Sequence, residues 1–487
     1  MSGLPCGWAR ATLGEIATFE MGQAPAGSAS NFDGIGTIFV KAGEFGALYP
    51  VIREWTTEPK KFARDGDVLI CVVGATSGKL NLGIDCAIGR SVAAIRPISG
   101  ISQKSIYYQL LPRVELLRAN STGSAQGVIS QADLAKLDVL LPPRIEQTRI
   151  VEKLESLLAD LDAGVAELKA AQRKLARYRQ SLLKAAVEGA LTAEWREANV
   201  PQETGAQLLQ RILRERRARF EQKHGPKKKY KEPATPDTSQ LPALPEGWVW
   251  ASLDQIVTES SYGTSEKCGY EAGGTPVLRI PNVGSGTLDL RDMKFSQAAL
   301  QLDDDNALAV GDVLVIRTNG SIGLVGRAAV VTKPLPAPHY FASYLLRLRC
   351  VEVTCTHIWI QTLLCSPAGR SWLEQRAASS AGQHNVSLST LLTMAIPLPP
   401  LAEQHQILTQ LDTALSACKA QENAVTHALK QAAAQRRNLL RAAFAGELVP
   451  QDPADEPASV LLARICAKRV QEGKAVRKSI KRSGAST

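Results

Sequence analysis

The chain has 487 residues, 45% of them hydrophobic, and a formal net charge of +10. That is apolar content for two cores of ordinary domain size and too much length for one. No apolar run approaches the roughly 18 residues of a membrane span, no basic stretch followed by a hydrophobic one opens the chain, and nine cysteines without a C-x-x-C pair fit reduced thiols, so a cytoplasmic protein with no membrane partner is expected.

In chain order, residues 1–141 read as a globular α/β module. Short β-rich runs, Thr37 to Val40 and Val68 to Val73, are broken by glycines, and a helical patch covers Tyr107 to Leu117. Gly74-Ala75-Thr76-Ser77-Gly78-Lys79 has the look of a phosphate loop but fails: three residues separate the glycines instead of four, and Leu80 stands where Ser or Thr is needed. A polar surface loop is the better reading.

Residues 142–192 read as a long spacer helix. Pro142-Pro143 opens it, where proline is tolerated. Leu154, Leu161, Leu168, Leu175 and Leu182 recur every seven residues, with Ile150, Leu157, Ala171, Tyr178 and Ala185 in the companion positions. This is a coiled-coil seam, with Gly164 its weak point and Gly189 a C-terminal cap. A basic linker, 193–243, follows. Residues 205–243 carry ten Lys/Arg against four Asp/Glu, and 464–482 carry eight against one, a combined surplus larger than the net charge of the whole chain. Lys227-Lys228-Lys229-Tyr230-Lys231 between Gly-Pro and a proline-rich stretch reads as an exposed connector; a solvated linker and an attractor of phosphate both remain open.

Residues 244–397 form a second module with β runs at Val277 to Ile280 and Val313 to Ile316 and a helical patch at Ile358 to Leu364. Cys350, Cys355, His357 and Cys365 match no usual zinc spacing, and buried strand cysteines fit the apolar alternation better. Residues 398–449 form a distal spacer helix with Ile407, Leu411, Cys418, Val425, Ala432 and Leu439 in the seam register, and 450–487 a basic tail.

The chain says the same thing twice. From Ser124 to Thr192 and from Ala381 to Val449 the residues repeat without gaps, among them Gln126/Gln383, Ser130/Ser387, Pro142/Pro399, Glu146/Glu403, Gln147/Gln404, Leu183/Leu440 and Gly189/Gly446. Leu4-Pro5-x-Gly7-Trp8 recurs at Leu244-Pro245-x-Gly247-Trp248, and Gly66-Asp67-Val68-Leu69 at Gly311-Asp312-Val313-Leu314. The period is too long for a solenoid, so this is a two-fold duplication. Packing the two helices on each other is the economical arrangement. An antiparallel pair places the modules at opposite ends of a rigid spacer about 69 Å long at 1.5 Å per residue, with pseudo-two-fold symmetry. The expected fold class is α+β: two α/β modules separated by two long antiparallel coiled-coil helices.

A module opening Leu-Pro-x-Gly-Trp, a Gly-Asp-Val-Leu strand, a Gln-x-x-[Ile/Val]-Ser turn and Pro-Pro-x-x-Glu-Gln leading into a long helix ending Ala-Ala-x-x-Gly, all twice, resembles the specificity subunit of type I restriction–modification systems over residues 4–449. The resemblance implies two target-recognition domains reading the halves of an asymmetric bipartite site in double-stranded DNA. It implies two methyltransferase subunits as partners and, in the full complex, two motor-nuclease restriction subunits. S-adenosylmethionine, ATP and Mg2+ then belong to those partners, with no cofactor on this chain. The residues agree: there is no H-E-x-x-H, no valid phosphate loop and no Asn/Asp-Pro-Pro-Tyr/Phe motif. A coiled-coil scaffold with protein-binding modules and an enzyme with an unrecognised site are the competing classes.

Base-reading side chains are expected in or beside Gly-rich loops, where Arg suits guanine and Asn adenine. The candidates are Lys41, Lys79, Asn81 and Arg90 in the first module and Arg279, Asn282, Arg317, Asn319 and Arg327 in the second. Gln126, Gln383 and Asn385 read better as turn caps than as DNA contacts.

Overall fold

The computed structural model describes residues 4–114, 117, 128–225, 228–271, 273–284, 286–297, 299–301, 305–351, 356–380 and 382–483, with side chains through 471. The chain divides into two compact units, residues 1–169 with 426–487, and residues 170–425.

In the first unit, Ala9–Thr12 pairs antiparallel with Asp138–Leu141, so the start of the module lies beside the strand that feeds the long helix. A four-stranded antiparallel sheet follows the order Ala17–Met21, Val92–Pro97, Val68–Cys71, Leu80–Leu82. A five-stranded sheet of short strands contains one parallel pair, Thr37–Val40 with Cys86–Ile88. The strand Val68–Cys71 is buried along its whole length because alternate residues serve different cores. Val68 and Ile70 join the cluster under the helices, while Leu69 and Cys71 join the one under the five-stranded sheet.

The second unit repeats the plan. Val249–Ser252 pairs with Ala395–Leu398, and the central sheet runs Val257–Tyr262, Leu345–Cys350, Val313–Ile316, Ala328–Val330. Val313 and Val315 face one core, Leu314 and Ile316 the other. The entry turn of the central strand is the same in both. Gly66 and Gly311 hold φ of +91° and +92°, a region glycine occupies freely. The aspartate after each glycine takes a two-pronged bond from an arginine on the neighbouring strand, Asp67 from Arg96 and Asp312 from Arg349.

The long helices span Arg144–Val187 and Leu401–Ala443. Pro143 and Pro400 cap them, their carbonyls accepting from the Gln147 and Gln404 N–H groups. Within the first unit the start of the first helix meets the end of the second. Ile150, Val151, Leu154 and Leu158 share a core with Leu440, Ala443 and Phe444, and Arg436 bonds Asp162. Within the second unit the converse ends meet, with Leu182, Leu183, Ala186 and Val187 clustered with Ile407, Leu411 and Cys418. The pairing is antiparallel in both.

The seam is sealed only where a module also covers it. Leu154, Leu182, Ile407, Leu411 and Cys418 are buried, whereas Leu161, Leu168, Leu175, Val425 and Leu439 are half-buried and Tyr178 is 52% exposed. One partner helix covers one stripe of a helix surface, so mid-helix both the seam leucines and the companions Leu157 and Ala171 are only half covered. Gly189 lies just past the first helix with φ +74°, and Gly446 past the second with φ +76°. The first caps as the spacing predicts.

Lys228, Lys229 and Lys231 of the connector are exposed, but other parts of the basic linker and tail dock on the modules. Residues Gly205–His224 form a helix whose Leu208 and Ile212 are buried in the second module's core, and residues Ala458–Ser483 form another whose Leu461 and Ile465 are buried in the first's. The two are copies. The Gly205 N–H donates to the Gly247 carbonyl and the Ala458 N–H to Gly7. Arg216 donates to the Val257 carbonyl at 3.1 Å, and Arg469 to its counterpart Ala17 at 3.0 Å. The duplication therefore runs through the linker and the tail.

Candidate nucleic-acid interface

The second unit presents an exposed polar edge where its central sheet ends. After the strand Val313–Ile316 the chain turns through Arg317-Thr318-Asn319. Thr318–Asn319 then pairs with Gln383–Asn385, which pairs with Ala378–Ser380. Arg317 is fixed from three sides: its Nε donates to the Ser343 carbonyl at 2.8 Å, its Nη1 reaches Asn385 Oδ1 at 3.4 Å, and its guanidinium lies 5.0 Å from the Tyr262 ring. Asn319, half-buried, accepts the Ser321 N–H through Oδ1 at 2.8 Å, a bond that does not use its amide NH2. Tyr262 and Tyr344 are exposed beside this loop. At Gly263 the backbone passes so close to the Phe341 carbonyl that a Cβ would lie 2.2 Å from its oxygen, so only glycine fits.

The neighbouring strip carries a second group. The Ser343 N–H donates to the Thr264 carbonyl and Ala342 to Leu278, which brings the turn after Leu278 alongside. There Tyr270, 65% exposed, lies between two cations, with Lys294 Nζ 4.8 Å and the Arg279 guanidinium 5.9 Å from its ring. Arg279 also bonds Asp292. Exposed tyrosines held against cations are suited to stack on a base while the cation meets a phosphate. Sequence reading missed Tyr262, Tyr270, Tyr344 and Lys294, because a tyrosine in a glycine-rich loop looks the same whether its ring turns inward or outward.

Several candidates are spent inside the chain. Asn282 is buried and holds its own turn, accepting the Arg279 N–H and donating to the carbonyls of Asp289 and Asp292. Asn81 is buried and clasps Gly46 through both amide atoms. Neither is available to a base edge without unfolding its loop. Lys79 donates to the Phe45 carbonyl at 2.6 Å and Lys41 is ion-paired with Glu54. Arg90 is exposed. Arg327 lines a cavity of about 400 Å³ with Arg179 and Leu183 of the first long helix and Glu422 of the second. Gln383 and Asn385 lie in the strand that pairs with the Arg317 loop; Gln126 lies outside the described residues.

In the glycine loop of the first module the last three amides are turned to the loop's own carbonyls rather than to a phosphate. Ser77, Gly78 and Lys79 already donate to the carbonyls of Gly74, Cys71 and Thr76. Cys355 lies outside the described residues. Of the remaining cysteine cluster, burial pushes the Cys350 thiol up to about 12 and raises that of Cys365, while it lowers His357, so the thiolates that would bind a metal are disfavoured. Among the described residues no group of three or more His, Cys, Asp or Glu is placed to hold a metal.

At the foot of each long helix a buried carboxylate joins module to helix. Trp8 Nε1 donates to Glu146 at 3.0 Å and Trp248 Nε1 to Glu403 at 2.9 Å. Gln147 and Gln404 each donate to the first proline carbonyl of the preceding Pro-Pro pair, at 3.0 Å. This is why the repeated Trp and Glu-Gln motifs, far apart in sequence, belong to one joint.

Two modules of one topology, each latched to the foot of a long helix through the same Trp–Glu joint, define a duplicated protein. The type I restriction modification DNA specificity domain matches residues 5–169 and 245–431, and the chain belongs to that family. The EcoKI specificity subunit of Escherichia coli strain K12 is 26% identical over 418 residues, covering 82% of this chain and 79% of that one. The EcoDI specificity subunit of Escherichia coli is 26% identical over 483 residues, covering 96% and 97%. Among solved structures, a chain from a study of complex assembly and conformational transition of the type I R-M system shares the fold with a TM-score of 0.67 at 18% identity, covering 92% of this chain and all of that one. The HsdS subunit of Thermoanaerobacter tengcongensis does so with a TM-score of 0.50 at 19% identity, covering 92% and 98%. The protein is a specificity subunit of a type I restriction–modification system, a DNA-recognition component that is not itself catalytic. Among the described residues no helix is long and apolar enough to cross a membrane.

Proposed function

We propose that this subunit reads an asymmetric bipartite site in double-stranded DNA, one half with each module, and that it acts in the cytoplasm. It docks two methyltransferase subunits and, in the complete assembly, two restriction subunits. The observation that carries this reading is the divergence of the loop edges on a common frame. The central sheets, entry turns and Trp–Glu joints match, while the segment after the central strand is Val73 to Lys79 in one copy and Arg317 to Ser321 in the other. Base contacts specify and phosphate contacts position, so a frame that repeats while its loops differ is suited to reading two different sequences. In the second module Arg317, Asn319, Arg279, Tyr262 and Tyr270 are the proposed reading side chains; in the first, Arg90 remains accessible, with Lys41 and Lys79 available if they exchange their internal partners for phosphate. S-adenosylmethionine, ATP and Mg2+ act on the partner subunits, the methyltransferase taking an adenine out of the duplex.

The test is to exchange residues 1–141 for the same region of a relative with a different target and map methylated adenines in a host carrying the system. One half-site should change and the other persist. A change in both halves, or in neither, overturns independent reading. Arg317→Ala should cost about 1–3 kcal/mol of discrimination at a single base position in the second half-site.

A further inference from the structure

A cleft of about 840 Å³ lies between the linker helix Gly205–His224, the segment Lys228 to Glu232 and the adjacent strands Val257–Tyr262 and Leu345–Cys350 of the second module's central sheet. Its walls carry eight lysines and arginines against four carboxylates. The carboxylates are engaged with particular cations: Asp254 with Arg216, Glu259 and Asp305 with Lys223, Glu232 with Arg217. Lys228, Lys229 and Lys231 are exposed along one rim, and no ion pair joins them to a carboxylate among the described residues. Aromatic rings floor the same rim. Phe220 and Tyr230 meet edge to face at 5.2 Å, with Lys228 Nζ 5.8 Å from the Phe220 ring.

The inner wall holds a second, independent sign. Arg347 is only 4% exposed and its Nε has no hydrogen-bond partner. Its other nitrogens reach the Asn306 and Ala307 carbonyls and lie 3.8 Å from Glu259. The pairing registers make Arg349 the counterpart of Arg96 and therefore Arg347 the counterpart of Ala94, since Leu348 faces Val313 as Ile95 faces Val68. The first module buries an alanine at that strand position; the second buries an arginine with an unmet donor, where a small apolar residue satisfies the fold. Buried charge without a full set of partners is unfavourable unless a ligand completes it.

We propose that this cleft is a phosphate-binding site, with Lys228, Lys229 and Lys231 at its mouth and Arg347 at its inner wall, receiving the phosphates of a nucleic-acid backbone or of a free nucleotide. The site is separate from the loop edge around Arg317 and does not depend on the target-reading role of that edge. If the phosphates are those of a duplex, the linker adds affinity without adding sequence information, since the rim offers lysine point charges and no forked donor set for a base edge.

The experiment uses the full chain with its methyltransferase partner. Binding to a labelled duplex lacking any methylation target is followed across a salt series, and in parallel binding of inorganic tripolyphosphate to the chain is followed by calorimetry. The exposed triple variant Lys228→Gln, Lys229→Gln, Lys231→Gln should keep the unfolding midpoint and the methylated sequence. It should reduce the slope of log K against log salt by about 2 to 3, at roughly 0.9 for each phosphate that is no longer neutralised. Arg347→Ala, which restores the residue of the first module, should weaken the same binding while folding normally. Loss of duplex affinity in these variants assigns the cleft to the backbone. Unchanged duplex binding with loss of tripolyphosphate binding assigns it to a free nucleotide. If both probes bind the variants as they bind the native chain, the phosphate site is wrong, and mapping of the methylated target, unaffected by these residues, still decides the role of the modules separately.

Discussion

The two joints at the feet of the long helices start from the same residues and end with different strength. In the second unit, Glu403 is fully engaged: one oxygen accepts from Trp248, the other from Thr192 Oγ1 at 2.7 Å and from Arg196 Nε and Nη2 at 3.0 and 2.7 Å. In the first unit, Glu146 keeps the tryptophan, but its other oxygen is buried with no hydrogen-bond partner, and the nearby Arg149 is turned to Asp455. Thr192 corresponds to Val449 in the repeat, so the hydroxyl is missing by sequence. A duplicated motif preserves geometry; its energy depends on residues contributed by the segments between the motifs.

The largest expected effect breaks that contrast directly. Glu403→Ala leaves Arg196 without its carboxylate and Trp248 Nε1 without an acceptor, at about 3–5 kcal/mol, whereas Glu146→Ala forfeits one hydrogen bond to an already underpaired group and costs about 1–2 kcal/mol. Denaturant unfolding of the two variants of the full chain measures both. Equal losses would show that the extra partners of Glu403 contribute nothing.

A pH experiment sharpens the same contrast from the other side. Burial raises the Glu146 carboxyl above its ordinary value, with the Asp455 charge adding to the rise and the Trp8 hydrogen bond, the Arg149 charge and the nearby Gln451 side chain only partly opposing it. The folded state therefore holds a proton there in a pH window where the unfolded state has lost it. Stability of the first unit falls as pH rises through the raised value and recovers as pH drops toward the ordinary carboxylate range. Hydrogen-exchange protection around Trp8 and Glu146, corrected for intrinsic rates, should fall as pH is raised from the ordinary carboxylate range, and the fall should vanish in Glu146→Gln, which isolates this group from the carboxylates that titrate in the opposite sense.

The smallest effect concerns the mid-helix stretch that neither module covers. Gly164 is helical, and a Cβ there meets nothing within 4 Å. Gly164→Ala should stabilise the first long helix by up to about 1 kcal/mol, read as increased exchange protection on both sides of residue 164. A destabilised helix would mean the seam needs a close approach at that glycine.

The heptads of Leu154 to Leu182 suffice for a long helix, and the repeated Glu-Gln and Trp motifs for two copies of one plan. The candidate site is less legible. Asn81 and Asn282 have the residue type, the glycine-rich context and the position expected of base readers, yet both are buried and committed to their own loops. The charge clusters are visible in the sequence, but the docking of the segments that carry them is not: Leu208 and Ile212, buried at helical spacing, mark the linker as a docked helix, and the basic residues around them mask that pattern. The signal that reveals it is the repeat itself, extended to Gly205-Ala206-Gln207-Leu208-Leu209 against Ala458-Ser459-Val460-Leu461-Leu462.

By itself the sequence determined the two-fold plan, the long helices with their proline starts and glycine ends, and the family, because each rests on local periodicity or on spacing within one repeat. The tertiary structure alone decided which seam leucines are sealed, that the linker and tail dock, which loop side chains are free to meet DNA, and that Arg347 is buried where the other copy has Ala94. Periodicity states which face of an element is apolar; what lies opposite that face, and which distant donor reaches a buried acceptor, is settled only when the chain has folded.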